Sequence, residues 1–283
     1  MISRFCSLAF LGSLLLCTAS VTFASTITKT VEVQVYDLCT DADKFVSVAA
    51  SCVPLGPAGD AYFANEVNAI WAQANISVTF NFAQFIYSTR FSSIDDNVSG
   101  DTFADLAGSY GTRGPSSTVV DLFLTHSVSN AYGEGWLGFG GMVIAMDAVL
   151  SYNNGSGRVD TIAHELGHNF GLVPTSIGGD GTGHSTDPTY LMTGGQTRKI
   201  PTSPADIAPN GFGYDVLPAD QIALARTSSL LAPEPGTWAL LLTGGLGLAI
   251  CRRRVQVLLP SAERIHVRGR PVPQPSVQLR HLF

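Results

Sequence analysis

Residues 158–170, RVDTIAHELGHNF, combine a helical apolar stripe with two histidines placed four residues apart. At about 100° per residue, His164 and His168 come together on roughly the opposite side of the helix from that stripe. A protein that contains this segment must pack one face of the helix against its hydrophobic core and leave both imidazoles on the opposite face. The stripe consists of Val159, Ile162, Ala163, Leu166 and Phe170.

The spacing of the two histidines suits a shared metal ion. Imidazoles at positions i and i+4 stack on adjacent helical turns, so both can reach one Zn²⁺. Glu165 projects to the side of His168, where it can act on a water beside the metal without being a ligand. A lone histidine is usually a core residue with satisfied hydrogen bonds, whereas His-Glu-x-x-His on a helix indicates metal-dependent hydrolysis.

The segment continues as HELGHNFG and resembles the metzincin clan of zinc metallopeptidases, whose pattern is His-Glu-x-x-His-x-x-Gly-x-x-His followed by a Met-turn. His164, Glu165, His168 and Gly171 match this pattern directly. Gly171 suits a left-handed helix end at which the chain turns toward a third ligand. The third histidine of the pattern falls on Pro174, so the chain departs from the pattern there.

The third ligand is predicted further along the chain. His184 precedes Met192 by eight residues, and the Tyr-Leu-Met triplet ending at Met192 resembles the Met-turn. The resemblance then implies that the Gly-rich residues 173–183 are an insertion and that His184 completes the ligand set, with Asp180 and Asp187 as alternatives because zinc accepts carboxylates. Met192 is expected to form an apolar floor beneath the metal, although an ordinary core methionine would be buried in the same way.

The other histidine of the central region, His126, follows an apolar run, and we expect it to be structural or exposed rather than catalytic. No further cysteine or histidine lies near the predicted site in the sequence. Zinc would therefore keep an open fourth position for water, which distinguishes catalytic from structural zinc.

The alternation of apolar and polar residues predicts strands at residues 31–36 and 76–82. Between them, apolar residues recur at helical spacing after Asp60, a suitable N-cap, and predict an amphipathic helix. Strand, helix, strand is a crossover unit and indicates a partly parallel sheet. The apolar helical positions are Phe63, Val67, Ile70, Trp71 and Ala74.

Two further strands are predicted at residues 119–126 and 141–149, on either side of the Gly-rich residues 132–141. Glycines there would permit a hairpin, a bulge or close approach of a substrate backbone, or would form a plain flexible loop. A final helix is predicted near Pro218. With the metzincin resemblance, these elements predict an α/β (α+β) fold: a twisted mixed sheet and two long helices in an upper lobe, then a small irregular lower lobe after Gly171.

The amino terminus has the composition of a targeting segment. Arg4 precedes an apolar run at residues 5–17, and small residues follow at a suitable cleavage position near Ala24. Residues 1–24 are therefore predicted to be a secretory signal peptide. The apolar run is shorter than the roughly 20 residues of a spanning helix, which disfavours an uncleaved membrane anchor.

Residues 232–254 contain a Pro-Glu-Pro triplet, an apolar stretch at residues 237–251 and three arginines. In this order they resemble the PEP-CTERM sorting signal of exopolysaccharide-producing Gram-negative bacteria. The resemblance implies export across the inner membrane, transient anchoring through residues 237–251, cleavage by an exosortase-type sorting enzyme, and delivery to the cell surface or extracellular matrix. A permanent single span is the alternative. Residues 255–283 would then be a basic cytoplasmic tail of unknown role.

The predicted catalytic domain, residues 25–231, is acidic. Residues 25–232 carry 8 Lys and Arg against 20 Asp and Glu, a net charge of −12 that the whole-chain value of −6 conceals. This charge argues against nucleic acid and anionic lipid as partners, because too few cations are present to neutralise phosphates. In an oxidising compartment, Cys39 and Cys52 are expected to form a disulfide, a thiolate metal pair being the alternative.

The sequence thus predicts a secreted zinc-dependent endopeptidase that hydrolyses a protein or peptide substrate, with Glu165 as general base. An alternative from another class is a non-catalytic exported matrix or surface binding protein that retains a metallopeptidase fold. Hydrolysis of a small amide or ester is a third possibility. The intact Glu165 favours an enzyme, since a scaffold needs no base beside a metal.

Overall fold

The computed structural model describes residues 28–41, 51–56, 61–111 and 118–233. The strands in these ranges are β1 (Lys29–Cys39), β2 (Ile76–Tyr87), β3 (Ser93–Ile94), β4 (Val119–Thr125), β5 (Ser127–Val128), β6 (Gly133–Gly135), β7 (Gly141–Ala145) and β8 (Ala232–Pro233). Among the described residues, six strands form one sheet in the order β2-β1-β4-β7-β6 with β8 also paired to β1, and β3 pairs with β5 separately. Neighbours run parallel from β2 to β7, whereas β6 and β8 are antiparallel to their partners.

Helices connect and cover these strands. They are α1 (Ala64–Trp71), extended by a 3₁₀ turn at Ala72–Ala74, α2 (Phe103–Tyr110), α3 (Met146–Gly155, irregular at its last turn), α4 (Thr161–Asn169) and α5 (Ala219–Ala225). The helix α1 joins the parallel strands β1 and β2, so the predicted crossover unit is confirmed.

The sheet has an apolar layer on each face, because side chains of a strand alternate between faces. In β4, Leu122 and Leu124 belong to the layer that α1 and α4 cover, where Trp71 meets Phe170 edge to face at 4.7 Å between ring centroids. Phe123 points to the opposite layer, which α2 covers. The sheet thus provides a rigid support on which α4 lies.

The predicted fold class is confirmed as a mixed α/β structure with a mostly parallel sheet. The strand predicted at residues 141–149 is wrong beyond Ala145, where α3 begins. Met146 and Val149 lie three residues apart on the buried side of that helix, and an unbroken apolar run cannot by itself distinguish strand from helix. The helices at residues 64–71 and 161–169 are also shorter than the predicted long helices.

The N-cap predicted at Asp60 is wrong, because α1 begins only at Ala64 and its N-cap is Phe63. Other predictions fall on residues outside the described ranges: the signal peptide, and all of the sorting signal and tail after Pro233. They remain predictions. Within the described ranges, no helix has the length and hydropathy needed to cross a membrane.

Candidate metal centre

The helix α4 carries the predicted histidine pair and is buried along its whole length. Ile162 and Leu166 pack into the core beneath the sheet, as the apolar stripe predicts. His164 and His168 are only 6% and 7% exposed. The face that the core leaves free is therefore covered by later parts of the chain rather than by solvent.

The structure brings His184 to the histidine pair. The ring centroids lie 4.9 Å apart for His164 and His168, 5.4 Å for His164 and His184, and 5.0 Å for His168 and His184. One ligand nitrogen from each ring lies within 4.8 Å of the other two. Three imidazoles from two separate segments thus converge on one point.

Each imidazole is oriented through its Nδ1 atom. His164 Nδ1 lies 2.7 Å from the carbonyl oxygen of Leu191, and His168 Nδ1 lies 3.1 Å from that of Leu172. A carbonyl can only accept, so each Nδ1 carries the proton and each Nε2 keeps a free lone pair. This fixing of the tautomer by the opposite ring nitrogen is typical of metal-binding histidines.

The third ring is held in the same way by a side-chain relay. His184 Nδ1 lies 2.9 Å from Thr182 Oγ1, and that hydroxyl donates to Asp180 Oδ1 at 2.7 Å. The hydroxyl is therefore an acceptor toward His184. Three neutral imidazoles with free Nε2 atoms are a donor set that Zn²⁺ prefers, so these residues fit the predicted metal.

Burial keeps these rings in their neutral, ligating form. Desolvation lowers the pKa of His168 to about 4, and it lowers the pKa of His164 well below its ordinary value, assisted by the nearby Arg198 cation. Desolvation also lowers the pKa of His184, although the Asp180 charge acts in the opposite direction. A metal ion would thus meet unprotonated ligands at neutral pH.

The predicted insertion is a closed loop. Gly171 has φ +86°, the left-handed helix end that the sequence predicts, and Pro174 precedes a short 3₁₀ turn instead of offering a ligand. The loop closes where the Val173 N–H donates to the Gly183 carbonyl at 3.1 Å. This closure returns the chain to the histidine pair one residue before His184.

The two alternative ligands have other roles. Asp180 Oδ1 accepts from the backbone N–H groups of Thr182 and His184, at 2.8 and 3.1 Å, and so braces the loop that carries His184. Asp187 accepts from the backbone and hydroxyl of Thr189, at 2.9 and 2.7 Å. Within the described ranges, neither carboxylate joins the three-histidine group.

Glu165 lies beneath the β6-β7 hairpin. A Cβ atom at Gly135 would lie 2.5 Å from the Glu165 carbonyl oxygen, so a glycine is required where β6 crosses the helix. The hairpin is also fixed to α4 by the Gly138 N–H, which donates to the His168 carbonyl at 2.8 Å. These glycines therefore serve a hairpin, and at Gly135 they also allow the close approach of the β6 backbone to the histidine helix.

The carboxyl group of Glu165 is in a water-poor environment. Burial raises the pKa of Glu165 to about 8, while the cations of Arg198 and Arg158 act against this rise. A nearby Glu134 carboxylate adds to the rise. A bound cation would favour the charged form, since opposite charge lowers the pKa of a carboxyl group.

Met192 is fully buried and lies against α4 at Gly167. Its carbonyl accepts from the Ser185 N–H at 2.8 Å, so the turn at Met192 is tied to the segment that carries His184. The preceding Leu191 supplies the carbonyl that orients His164. Met192 therefore lies next to the histidines, as the Met-turn resemblance implies, but its role as a metal floor stays a prediction.

A buried charge cluster behind His164 has no signal in the sequence. Arg198 Nη2 lies 2.9 Å from Asp160 Oδ2, and Arg158 Nε lies 3.5 Å from Asp160 Oδ1. Burial and the charge of Asp160 raise the pKa of Asp215 well above its ordinary value. These residues join the start of α4 to two later loops.

Cys39 and Cys52 form the predicted disulfide. His126 lies nearby and is structural: Nε2 lies 2.9 Å from the Ser51 carbonyl and Nδ1 lies 3.1 Å from an Asp147 carboxylate oxygen. The ring thus connects the end of β4 to the disulfide loop and to α3. It does not belong to the three-histidine group.

Comparison with known proteins shows a family similarity over part of the chain. Residues 60–174 match the model of the metallo-peptidase family M12B, reprolysin-like. This part of the chain is similar to a reprolysin-like metallopeptidase. The matched region contains His164, Glu165 and His168, whereas His184 and Met192 lie beyond it. The family match and the three-histidine site together support the prediction that this chain is a metallopeptidase. No curated protein matches the chain.

Solved structures show only a distant similarity. A chaperone-substrate complex covers 72% of the chain at 13% identity and TM-score 0.39, and the chain covers 34% of it. A zinc-dependent peptidase from Methanocorpusculum labreanum covers 69% at 12% identity and TM-score 0.36, and the chain covers 99% of it. Metalloproteinase-II from Bacteroides fragilis covers 72% at 14% identity and TM-score 0.37, and the chain covers 54% of it. At these TM-scores the solved structures carry no argument about function, and the similarity to a metallopeptidase rests on the family match.

Proposed function

We propose that this chain is a zinc-dependent endopeptidase that hydrolyses peptide bonds in protein or peptide substrates. The observation that carries the proposal is the convergence of the rings of His164, His168 and His184, two of them on the same buried helix as Glu165. When bound, zinc would supply Lewis-acid polarisation of a carbonyl and lower the pKa of a water molecule.

The three histidines would hold the metal through Nε2, since each Nδ1 is already engaged. Glu165 follows His164 directly on the same buried helix and makes no contribution to the ligand group. Its carboxylate would take a proton from the attacking water and then pass that proton to the leaving amine. Burial raises the pKa of Glu165 to about 8, so the carboxylate form that must begin this cycle depends on a bound metal cation, assisted by the nearby cations of Arg198 and Arg158.

Strand β6 offers a way to hold an extended peptide. In the described part of the chain, β6 is the last strand of the sheet and pairs on one side only, with β7. An unpaired strand edge can accept a peptide as an additional strand through backbone hydrogen bonds. Because the β6 backbone crosses α4 at Glu165, a peptide bound there would pass close to the proposed base. This arrangement favours a peptide over a small amide or ester.

The test is hydrolysis of a denatured protein by the purified full-length chain, with and without a chelator. Glu165→Ala should retain zinc but lose at least about 10²-fold in activity, because a positioned general base contributes 10²- to 10⁴-fold. Glu66→Ala, which removes a helical glutamate of α1 outside the site, should change neither quantity. Zinc-dependent cleavage that survives in Glu165→Ala would refute the role of Glu165. No chelator-sensitive hydrolysis by the unmodified chain would favour the exported binding protein instead.

We also propose export, with processing by an exosortase-type enzyme and transient inner-membrane anchoring through residues 237–251, on the basis of the terminal sequence patterns. Mass spectrometry of the chain isolated from an exosortase-containing Gram-negative host tests this. Export predicts loss of residues 1–24 and a new carboxyl terminus near residues 233–235. Intact termini would contradict it.

A further inference from the structure

The Arg198 guanidinium connects the start of the histidine helix to the turn at Met192. Its side chain is fully buried, and Nη2 forms an ion pair with Asp160, the residue immediately before α4, at 2.9 Å. Its Nη1 donates to the carbonyl oxygen of Leu191. One planar group thus holds two segments that are far apart in sequence.

The Leu191 carbonyl is the same group that orients the first proposed zinc ligand. It accepts from His164 Nδ1–H at 2.7 Å as well as from Arg198, and a carbonyl oxygen has two lone pairs for two such donors. Arg198 Nη1 also contacts His164 Nδ1 itself. The position of this carbonyl therefore decides which ring nitrogen of His164 carries the proton.

The choice of tautomer has a consequence for metal binding. If Nδ1 of His164 donates to Leu191, Nε2 has a free lone pair for a metal. If the carbonyl moved away, Nδ1 could accept from Arg198, and the proton on Nε2 would then block ligation. A fixed Leu191 carbonyl is needed to exclude the second arrangement.

We propose that Arg198 is a positioning residue for metal binding, which fixes the Leu191 carbonyl so that His164 presents an unprotonated Nε2. This inference rests on the proposed zinc function of the three-histidine site. It assigns a role to a residue outside the His-Glu-x-x-His motif and outside the segment that matches the metallopeptidase family. Asp160 is also needed, because its carboxylate neutralises the Arg198 cation, which would otherwise repel a metal ion beside His164.

A lysine could not replace Arg198 in this role. The guanidinium presents separate nitrogens to Asp160 and to Leu191, whereas an ammonium is a single point of charge. Arg158 provides the matched comparison. It is also buried and also lies beside Asp160, but its guanidinium stacks over the Tyr132 ring at 4.4 Å from the centroid, and no described contact joins it to Leu191.

The experiment compares Arg198→Lys with Arg158→Lys in the full-length chain. Zinc affinity is measured by competition with a chromophoric chelator, the geometry of the site by the visible spectrum of the Co²⁺ form, and stability by urea unfolding of the metal-free proteins. Both variants should lose stability to a similar extent. Only Arg198→Lys should weaken zinc binding, by about 10- to 100-fold, as is typical when a partner of a ligating histidine is lost, and only it should alter the Co²⁺ spectrum.

Zinc affinity and a Co²⁺ spectrum unchanged in Arg198→Lys would overturn the inference, because Arg198 would then be only a structural cation. If Arg198→Lys does not fold, Arg198→Met is the second variant: it removes both donors of the guanidinium, while Asp160 keeps the buried Arg158 as an ion-pair partner. That variant should show the same loss of zinc affinity, and wild-type affinity in it would refute the proposal. Neither readout uses a substrate, so a failure to detect peptide hydrolysis would not affect this result.

Discussion

The contact between Gly167 and Met192 leads to a quantitative prediction about the histidine helix. Gly167 lies between the two histidines of α4, and a Cβ atom there would lie 2.2 Å from Met192 Sδ and 2.9 Å from its Cε. Ordinary contact begins near 3.4 Å, so the sulfur would have to move by about 1.2 Å. Met192 is fully buried and has little space in which to move.

Two opposing effects set the result of Gly167→Ala. Replacing glycine by alanine in a helix stabilises it by about 1 kcal/mol. Overpacking a core by one methyl group costs about 1 to 3 kcal/mol. Met192→Ala alone should cost about 2 to 5 kcal/mol, but it removes the atoms that clash. Gly167→Ala should therefore be neutral or destabilising when Met192 is present. In the Met192→Ala background it should stabilise the chain by about 1 kcal/mol. The difference is a coupling energy between positions 167 and 192 of about 1 to 3 kcal/mol.

The assay is urea unfolding of the metal-free wild-type chain, the two single variants and the double variant. Removal of the metal separates packing from zinc binding. Gly108→Ala is the control, since Gly108 is an exposed glycine within α2 and its replacement should stabilise the chain by about 0.5 to 1 kcal/mol in either background. A coupling energy below about 0.5 kcal/mol between positions 167 and 192 would refute the argument that this glycine makes room for the turn.

Two further predictions concern the disulfide end of the sheet. Burial raises the pKa of Asp37 to about 7, although the hydrogen bond from the Val53 N–H and the charge of His126 act in the opposite direction. The folded chain therefore retains a proton on Asp37 that the unfolded chain releases near pH 4. The free energy of unfolding should fall as the pH rises from about 4 to about 7 and should stay lower above pH 7. Asp37→Asn should abolish this decline and stabilise the chain at pH 8 by up to about 4 kcal/mol, and equal pH profiles in urea unfolding would contradict the assignment. Reduction of the Cys39–Cys52 disulfide should cost about 3 kcal/mol, the value for a loop of this length, and a chain carrying serine at both positions should be insensitive to reductant.

Local periodicity predicts those parts of the fold that depend on neighbouring residues. The alternation at residues 31–36 and 76–82 and the helical spacing between them identify the β1-α1-β2 crossover. The end of β7 at Ala145 is not predictable in this way, because both faces of that strand are buried and its apolar run continues into α3. A strand or helix shows a hydrophobic period in its sequence only where one of its faces is buried and the other is exposed.

In the candidate site, too, local sequence patterns predict some residues and not others. His164, Glu165 and His168 follow from one helical turn, and His184 follows from the nearby Tyr-Leu-Met triplet and the preference of zinc for imidazole. Arg198 has no such signal. Its burial depends on Asp160, which lies far away in sequence and is brought close only when the loop after the Met-turn folds back on α4. Long-range ion pairs of this kind leave no pattern in a single sequence.

The closed loop before His184 explains how the chain departs from the metzincin spacing and still brings a third histidine to His164 and His168. The entropy of closing a flexible loop grows only slowly with its length, so added residues are tolerated when the ends of the loop are held together. Here the Val173 N–H holds Gly183, and Asp180 holds the backbone N–H of His184. The position of His184 therefore depends on where the two ends of the loop are held, and not on a fixed number of residues between Gly171 and His184. Asp180, which the sequence predicts as an alternative ligand, instead holds the backbone of His184 in position.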